Sequence, residues 1–190
     1  MLGIAGAPAS GKSMFAASLV DAINEAAGHH VAIVVPMDGF HLSNEELKRR
    51  KLLHLKGVPE TFDAQGYVNC IEELSTQLSR PIYCPLFNRV IEASVPRKIV
   101  VKPEDRIVVS EGNYLLLDQE PWNKLRNLFD EIWFLEADES EIMPRLMERH
   151  VAAGRTRQAA QEKMDSTDLP NAKLIEATKT RADRIIKLSE

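Results

Sequence analysis

The stretch Gly6-Ala7-Pro8-Ala9-Ser10-Gly11-Lys12-Ser13-Met14 contains the pattern G-x-x-x-x-G-K-[S/T], a spacing suited to holding phosphate. The glycines let the backbone curl so that successive N–H groups point into one concavity. A helix starting at the end of the loop adds partial positive charge behind them. Lys12 supplies a full charge for the outer phosphates, and the Ser13 hydroxyl is a ligand for Mg²⁺. An apolar strand-like run (residues 2–5) precedes the pattern, and a helical stripe of Phe15, Leu19 and Ile23 follows it. That context makes a plain glycine-rich turn a poor explanation. Binding of a nucleoside triphosphate is the first conclusion.

Two carboxylates follow other apolar runs. Asp38 comes just after residues 31–35, and Glu111 just after residues 107–109. In a parallel sheet, ligands sit beyond the carboxyl ends of the strands, so both would face the phosphates. Asp38 is placed to accept the proton of an attacking hydroxyl; capping the turn before Gly39 is the simpler alternative. Glu111 is placed to support Mg²⁺; a surface turn through Glu111-Gly112-Asn113 is its alternative. A guanine-reading Asn-Lys-x-Asp string is missing, because Asn123-Lys124-Leu125 is followed by Arg126, which counts against a GTP switch.

Further strings extend the pattern: Met37-Asp38-Gly39-Phe40-His41, residues 56–63, residues 111–117, residues 145–150 and residues 168–172. Together with the loop they resemble the P-loop small-molecule kinases that include uridine kinase, phosphoribulokinase and type I pantothenate kinase. The resemblance is closest to bacterial nucleoside-kinase-like or pantothenate-kinase-like proteins. It implies ATP-dependent phosphorylation of a hydroxyl on a small metabolite, with ATP and Mg²⁺ as cofactors and Asp38 as base. It puts His41, Arg89, Asn113 and Tyr114 on the acceptor side, and residues 56–63 in a loop beside them. Asn88 stands where the family more often has Asp, and Met14 where Thr is usual. Arg145 and Arg149 are four apart on one helix face and would act as lid arginines over the phosphates, with His150 and Arg155 nearby; a solvated face pairing Glu141 with Arg145 is the alternative. Asp168 and Asn171 would flank the adenine, although an N-cap before Pro170 accounts for Asp168 equally well. A regulatory ATPase without a small acceptor is the reading from another class. A nucleoside-monophosphate kinase is a third, and it requires a more basic acceptor pocket.

The elements that must position these residues are legible as well. The chain has 190 residues, with 24 Lys plus Arg against 28 Asp plus Glu, a formal charge of −4. At ~100–200 residues per domain this is one domain. No apolar run nears the ~20 residues needed to span a bilayer, and the start has no secretory-signal pattern. The acidic balance disfavours nucleic acid as partner. Cys70 and Cys84 lack metal-ligand spacing and read as reduced thiols of a cytoplasmic protein. Five short runs rich in β-branched residues, at 2–5, 31–35, 107–109, 132–135 and 185–188, read as buried parallel strands. Helices are expected from Lys12, from Ser43 through Leu53, along Val68, Ile71, Leu74 and Leu78, over 138–153 with Ile142, Met143 and Leu146 inward, and from Pro170 to about Thr180. The fold class is therefore a three-layer α/β P-loop NTPase fold with a parallel sheet of about five strands. Residues 80–102 form an excursion toward the substrate and residues 138–160 a small lid. Only five residues precede Gly6, so either the central strand is short or a preceding segment is missing. Relatives are often dimers, which makes a homodimer the expected assembly.

Overall fold

The computed structural model describes residues 1–76 and 79–188. In chain order the elements are β1 (Leu2–Ala5), α1 (Lys12–Ala27), β2 (Ala32–Val34), α2 (Asn44–Arg49), α3 (Ala64–Ser75), β3 (Ile82–Asn88), β4 (Ala93–Val101), β5 (Ile107–Glu111), β6 (Glu131–Glu136), α4 (Glu139–Ala152), α5 (Arg157–Lys163), α6 (Leu169–Glu176) and β7 (Arg184–Lys187). All five expected strands form, and they pair in parallel in the order β2-β5-β1-β6-β7. The short β1 is central, held by β5 on one side and β6 on the other.

Successive strand side chains alternate between the two faces. Ile4, Val109 and Leu135 turn toward α1 and pack with Ala16 and Val20. Ala5, Val108, Ile132 and Phe134 turn the other way, onto Tyr67, Val68, Ile71, Trp122 and Leu125. Both faces are covered, which gives the three layers. The core of α1 is Ala16 and Val20, whereas Phe15, Leu19 and Ile23 are only partly buried and flank it. Small side chains let the helix axis approach the sheet, and the larger ones fill its sides.

Three expected boundaries move. The helix from Ser43 ends at Arg49 rather than Leu53. Ser43 Oγ accepts from the Glu46 amide at 3.1 Å, but the Glu46 carboxylate takes Arg49 and Arg50 instead of closing the capping box. Lys51 then adopts φ 59°, which ends the helix. Pro170 does not open a free-standing helix: α5 runs through a π-helical turn (Met164–Asp168) directly into α6, which stops at Glu176. The α3 stripe buries Val68, Ile71 and Leu74, and Leu78 lies outside the described residues.

The excursion at 80–102 is an antiparallel hairpin, β3 paired with β4 from Ile82↔Val101 to Asn88↔Ala93. It docks on the turn that follows β2. A Cβ on Gly39 would lie 2.3 Å from the Pro85 carbonyl oxygen, so only glycine permits this approach. Ser94 Oγ donates to the Gly39 carbonyl at 2.5 Å and fastens β4 to the same turn. The free thiols of Cys70 and Cys84 meet between α3 and β3, 3.3 Å apart. No described helix is long and apolar enough to cross a membrane.

Candidate active site

The loop between β1 and α1 needs backbone that most residues avoid. Gly6 has φ 153°, Ala9 φ 63° and Gly11 φ 97°. A Cβ on Gly6 would sit 2.6 Å from the Leu135 carbonyl oxygen, so β1 can lie against β6 only if this residue is glycine. Ala9 pays a steric penalty of order 1 kcal/mol for its left-handed conformation. The α1 amides that begin at Lys12 lack intrahelical partners. Ser10 Oγ is buried and has no partner among the described residues. These are features of a cradle for an anion. Lys12 is buried, and its Nζ folds back to donate to the Ala7 carbonyl at 2.7 Å. Burial pushes its pKa down to about 8, against the pull of Glu111 and Asp38 and with a further push from Arg149.

Ser13 Oγ donates to Glu111 Oε1 at 2.8 Å. Glu111 ends β5, directly beside Ile4 of β1. Burial pushes its carboxyl up, and Lys12 and the Ser13 hydroxyl hold it back. The pair offers two hard oxygens suited to Mg²⁺, which keeps several waters and phosphate oxygens for itself.

Asp38 lies in a 3-10 turn (Met37–Phe40) beyond β2. Arg89 Nη2 stands 3.9 Å from Asp38 Oδ2, and His41 Nδ1 3.9 Å from Oδ1. His41 Nδ1 donates to the Asp38 backbone carbonyl at 2.9 Å, and its ring stacks between Phe62 and Phe87. Burial keeps this imidazole less basic than usual despite Asp38.

Loop residues Pro8 to Met14, Asp38, His41, Arg89, Glu111, Asn113, Arg145, Arg149, Asp168 and Asn171 line one cleft of ≈ 770 Å³. Gly6 and Ala7 lie behind it, shaping the loop. Tyr114 is a correction: it is fully buried, and its hydroxyl donates to the Gly57 carbonyl and accepts from Asn171 Nδ2 at 2.6 Å. It therefore fixes the loop around Gly57 from beneath and does not reach an acceptor. Asn171 is largely spent on the same contacts, since Nδ2 also lies 3.2 Å from the Gly57 carbonyl. Asp168 is helical (φ −70°, ψ −41°) and makes no cap bond. Its carboxylate instead accepts from His150 Nε2 at 2.7 Å, and Arg155 donates to His150 Nδ1 at 3.2 Å. Arg145 reaches the Ala9 carbonyl at 3.5 Å and Glu141 at 3.4 Å, so both expected roles of that side chain have a contact.

Residues 1–189 match the model of the phosphoribulokinase / uridine kinase family. The chain belongs to that family. A Schizosaccharomyces pombe protein with the provisional name uridine kinase is 35% identical over 193 residues, covering 98% of this chain and 82% of that protein. A crystal structure from Silicibacter sp. TM1040, provisionally described as a fructose transport system kinase, superposes with a TM-score of 0.87 at 37% identity, covering 97% of this chain and 88% of that one. YFH7 from Saccharomyces cerevisiae, provisionally described as a P-loop containing kinase with a circular permutation, gives 0.86 at 21% identity over 100% and 92% of the two chains. At that identity the likeness is one of fold. Membership in this kinase family supports phosphotransferase activity with ATP as donor.

The family cleft also contains residues that the sequence did not single out as ligands: Asn44, His54, Phe62, Phe87, Glu92 and Lys163. Lys56, legible only as part of a loop, belongs with them. No spacing signal could have found Lys163, because its helix looks like any charged surface helix.

Proposed function

We propose that this chain transfers the γ-phosphoryl group of ATP to a hydroxyl of a small metabolite, with Mg²⁺ held at Ser13 and Glu111. The observation that carries the reading is the convergence of Lys12, Glu111 and Asp38 on one cleft, where the two carboxylates act on the Lys12 ammonium and Lys12 and Asp38 act on the Glu111 carboxyl. Bound Mg²⁺ would supply charge neutralisation on the phosphate oxygens. The loop amides and Lys12 hold the triphosphate, and Arg149 adds positive charge where the transition state spreads negative charge. Asp38 orients the acceptor hydroxyl, with Arg89 and His41 limiting how its carboxylate turns. A bond forms between the acceptor oxygen and the γ-phosphorus while the bond from that phosphorus to the β–γ bridging oxygen breaks, and ADP leaves. The acceptor proton passes to Asp38. A carboxylate is too weak a base to ionise a free alcohol, so the proton moves late, as the oxygen becomes bonded to phosphorus.

The test is product analysis on a panel of hydroxyl-bearing metabolites, with mass detection of the phosphorylated product. Transfer to an acceptor is expected, and Asp38→Asn should lower kcat by ~10²–10⁴-fold with little change in KM for ATP. Release of free phosphate alone, or an Asp38→Asn enzyme with unchanged kcat, would sink the proposal.

A further inference from the structure

Besides the charges around the phosphate loop, the cleft carries a second charged region, in which Glu92 and Asp168 also stand. Lys56, Arg155 and Lys163 all line it. Lys56 Nζ donates to Asn44 Oδ1 at 2.8 Å and to the Glu92 carbonyl at 3.0 Å. Lys163 Nζ donates to the His54 and Lys56 carbonyls at 3.0 and 3.1 Å. Arg155 donates to His150 Nδ1, in a ring whose other nitrogen is fixed by Asp168. Every acceptor these cations touch is neutral, and none of the three forms an ion pair among the described residues. Arg49 and Arg50, by contrast, close on Glu46 at 2.6 and 2.5 Å.

We propose that the acceptor bears, besides its reacting hydroxyl, an anionic oxyacid group, carboxylate or phosphate, which seats on Lys56, Arg155 and Lys163. The inference rests on the kinase reading above and narrows its substrate class. Two ammonium groups, Lys56 and Lys163, half-buried beside Arg155 and closed by no ion pair, cost free energy, and an arriving anion would recover it through charge-assisted hydrogen bonds. Burial makes the Lys56 and Lys163 ammonium groups easier to deprotonate; the carboxylates of Glu92 and Asp168 oppose this, and Arg155 adds a smaller push in the same direction as burial.

Lys56 and Lys163 are anchored to the Asn44 side chain and to the carbonyls of His54, Lys56 and Glu92, not to the phosphate loop. From Asp38 the cleft wall passes to His41, then to the Phe87 ring 4.7 Å from it, then to Lys56 Nζ, 5.3 Å from the Phe87 centroid. A short carbon skeleton lying along those two rings would have its hydroxyl at Asp38 and its anionic end at Lys56. A neutral sugar or nucleoside would leave all three cations unpaired.

Calorimetric titration of the full chain, preloaded with a non-hydrolysable ATP analogue, tests this without requiring turnover. Matched pairs serve as probes: gluconate against glucose for the carboxylate arm, and glycerate and glycerol phosphate against glycerol for both. The anionic member should bind at least ~10-fold more tightly, the scale of a hydrogen bond to a charged group. Lys56→Met should erase that preference while affinity for the ATP analogue stays within a factor of about two. Lys163→Met is the second variant, with a thermal melt to check that each remains folded. Equal binding within the pairs, or binding of neither member, overturns the proposal. So does loss of ATP-analogue affinity in Lys56→Met, which would hand these cations to the triphosphate. Failure of the kinase reading would show separately, as free phosphate without phosphorylated product.

Discussion

The two halves of the cleft are built on opposite plans. The phosphate half is eight contiguous residues plus Glu111, set on three neighbouring parallel strands. Its geometry is fixed by backbone: Gly6 against the Leu135 carbonyl, and Gly11 as the left-handed residue before α1. The acceptor half draws on the turn after β2, the loop around Lys56, the β3–β4 hairpin, and the α4–α6 arm. Those pieces are joined by side chains donating to remote carbonyls: Lys56 to Glu92, Lys163 to His54, Tyr114 to Gly57, Ser94 to Gly39. A wall assembled this way can change its ligand by changing one side chain. The loop cannot, because it presents backbone. Donor chemistry is therefore the conserved-by-construction half of the molecule, and acceptor identity is the half that substitution can retune.

The sharpest way to break that contrast is Lys12→Met. Removing the one full charge inside the loop should lower kcat for phosphoryl transfer by at least ~10²–10³-fold, the cost of losing a preorganised electrostatic contact in the transition state. Steady-state rates with saturating ATP check it. Turnover near that of the unaltered chain would mean that the loop backbone and the arm arginines suffice and that Lys12 does not act on the transferring phosphoryl group.

The same contrast explains what could be read from sequence. The five strands were legible because each is a short buried run with its own β-branched signature, and the loop because its residues are adjacent. Asp38 and Glu111 were legible because strand ends in a parallel sheet point at the loop. Tyr114 was misplaced because a tyrosine three residues past a functional strand end looks identical whether its hydroxyl meets a ligand or the Gly57 carbonyl. For Asp168 the sequence left a helix cap open beside a place at the adenine, and only its bond to His150, 18 residues away, removes the cap. Lys163 is 107 residues from its partner Lys56 and had no local mark. The helix from Ser43 was overextended because Lys51 turns left-handed and ends it, and a lysine gives no local sign of that.

Tyr114→Phe probes the side-chain bonding of the acceptor half. It deletes a buried hydroxyl and leaves Asn171 Nδ2 with only its longer contact to Gly57. A cost of ~1–3 kcal/mol is expected for that unmade bond, a fall in Tm of roughly 2–4 °C per kcal/mol for a chain of this size. Because Gly57 adjoins Lys56, KM for the acceptor should rise while KM for ATP holds. A rise confined to ATP would place Tyr114 in the donor half instead.

The smallest effect sharpens the comparison from the donor side, through protons. Burial holds Lys12 down to about 8 in the free chain, whereas an unfolded lysine titrates near ~10.4. Between those values the unfolded chain binds more protons than the folded one, so stability of the free chain from this residue rises with pH from about 8 to ~10.4 and is lowest, and constant, below. Phosphates in the cradle favour the charged form and must restore the proton. ATP binding should therefore take up roughly half a proton at pH 8, little at pH 7, and close to one at pH 9. Calorimetry in buffers of different ionisation enthalpy measures this directly. Lys12→Met supplies the baseline, since ATP and the other groups titrate in both. An uptake that is the same in the two proteins would show that Lys12 is charged throughout, and that the loop half does not tighten on its ligand by regaining a proton.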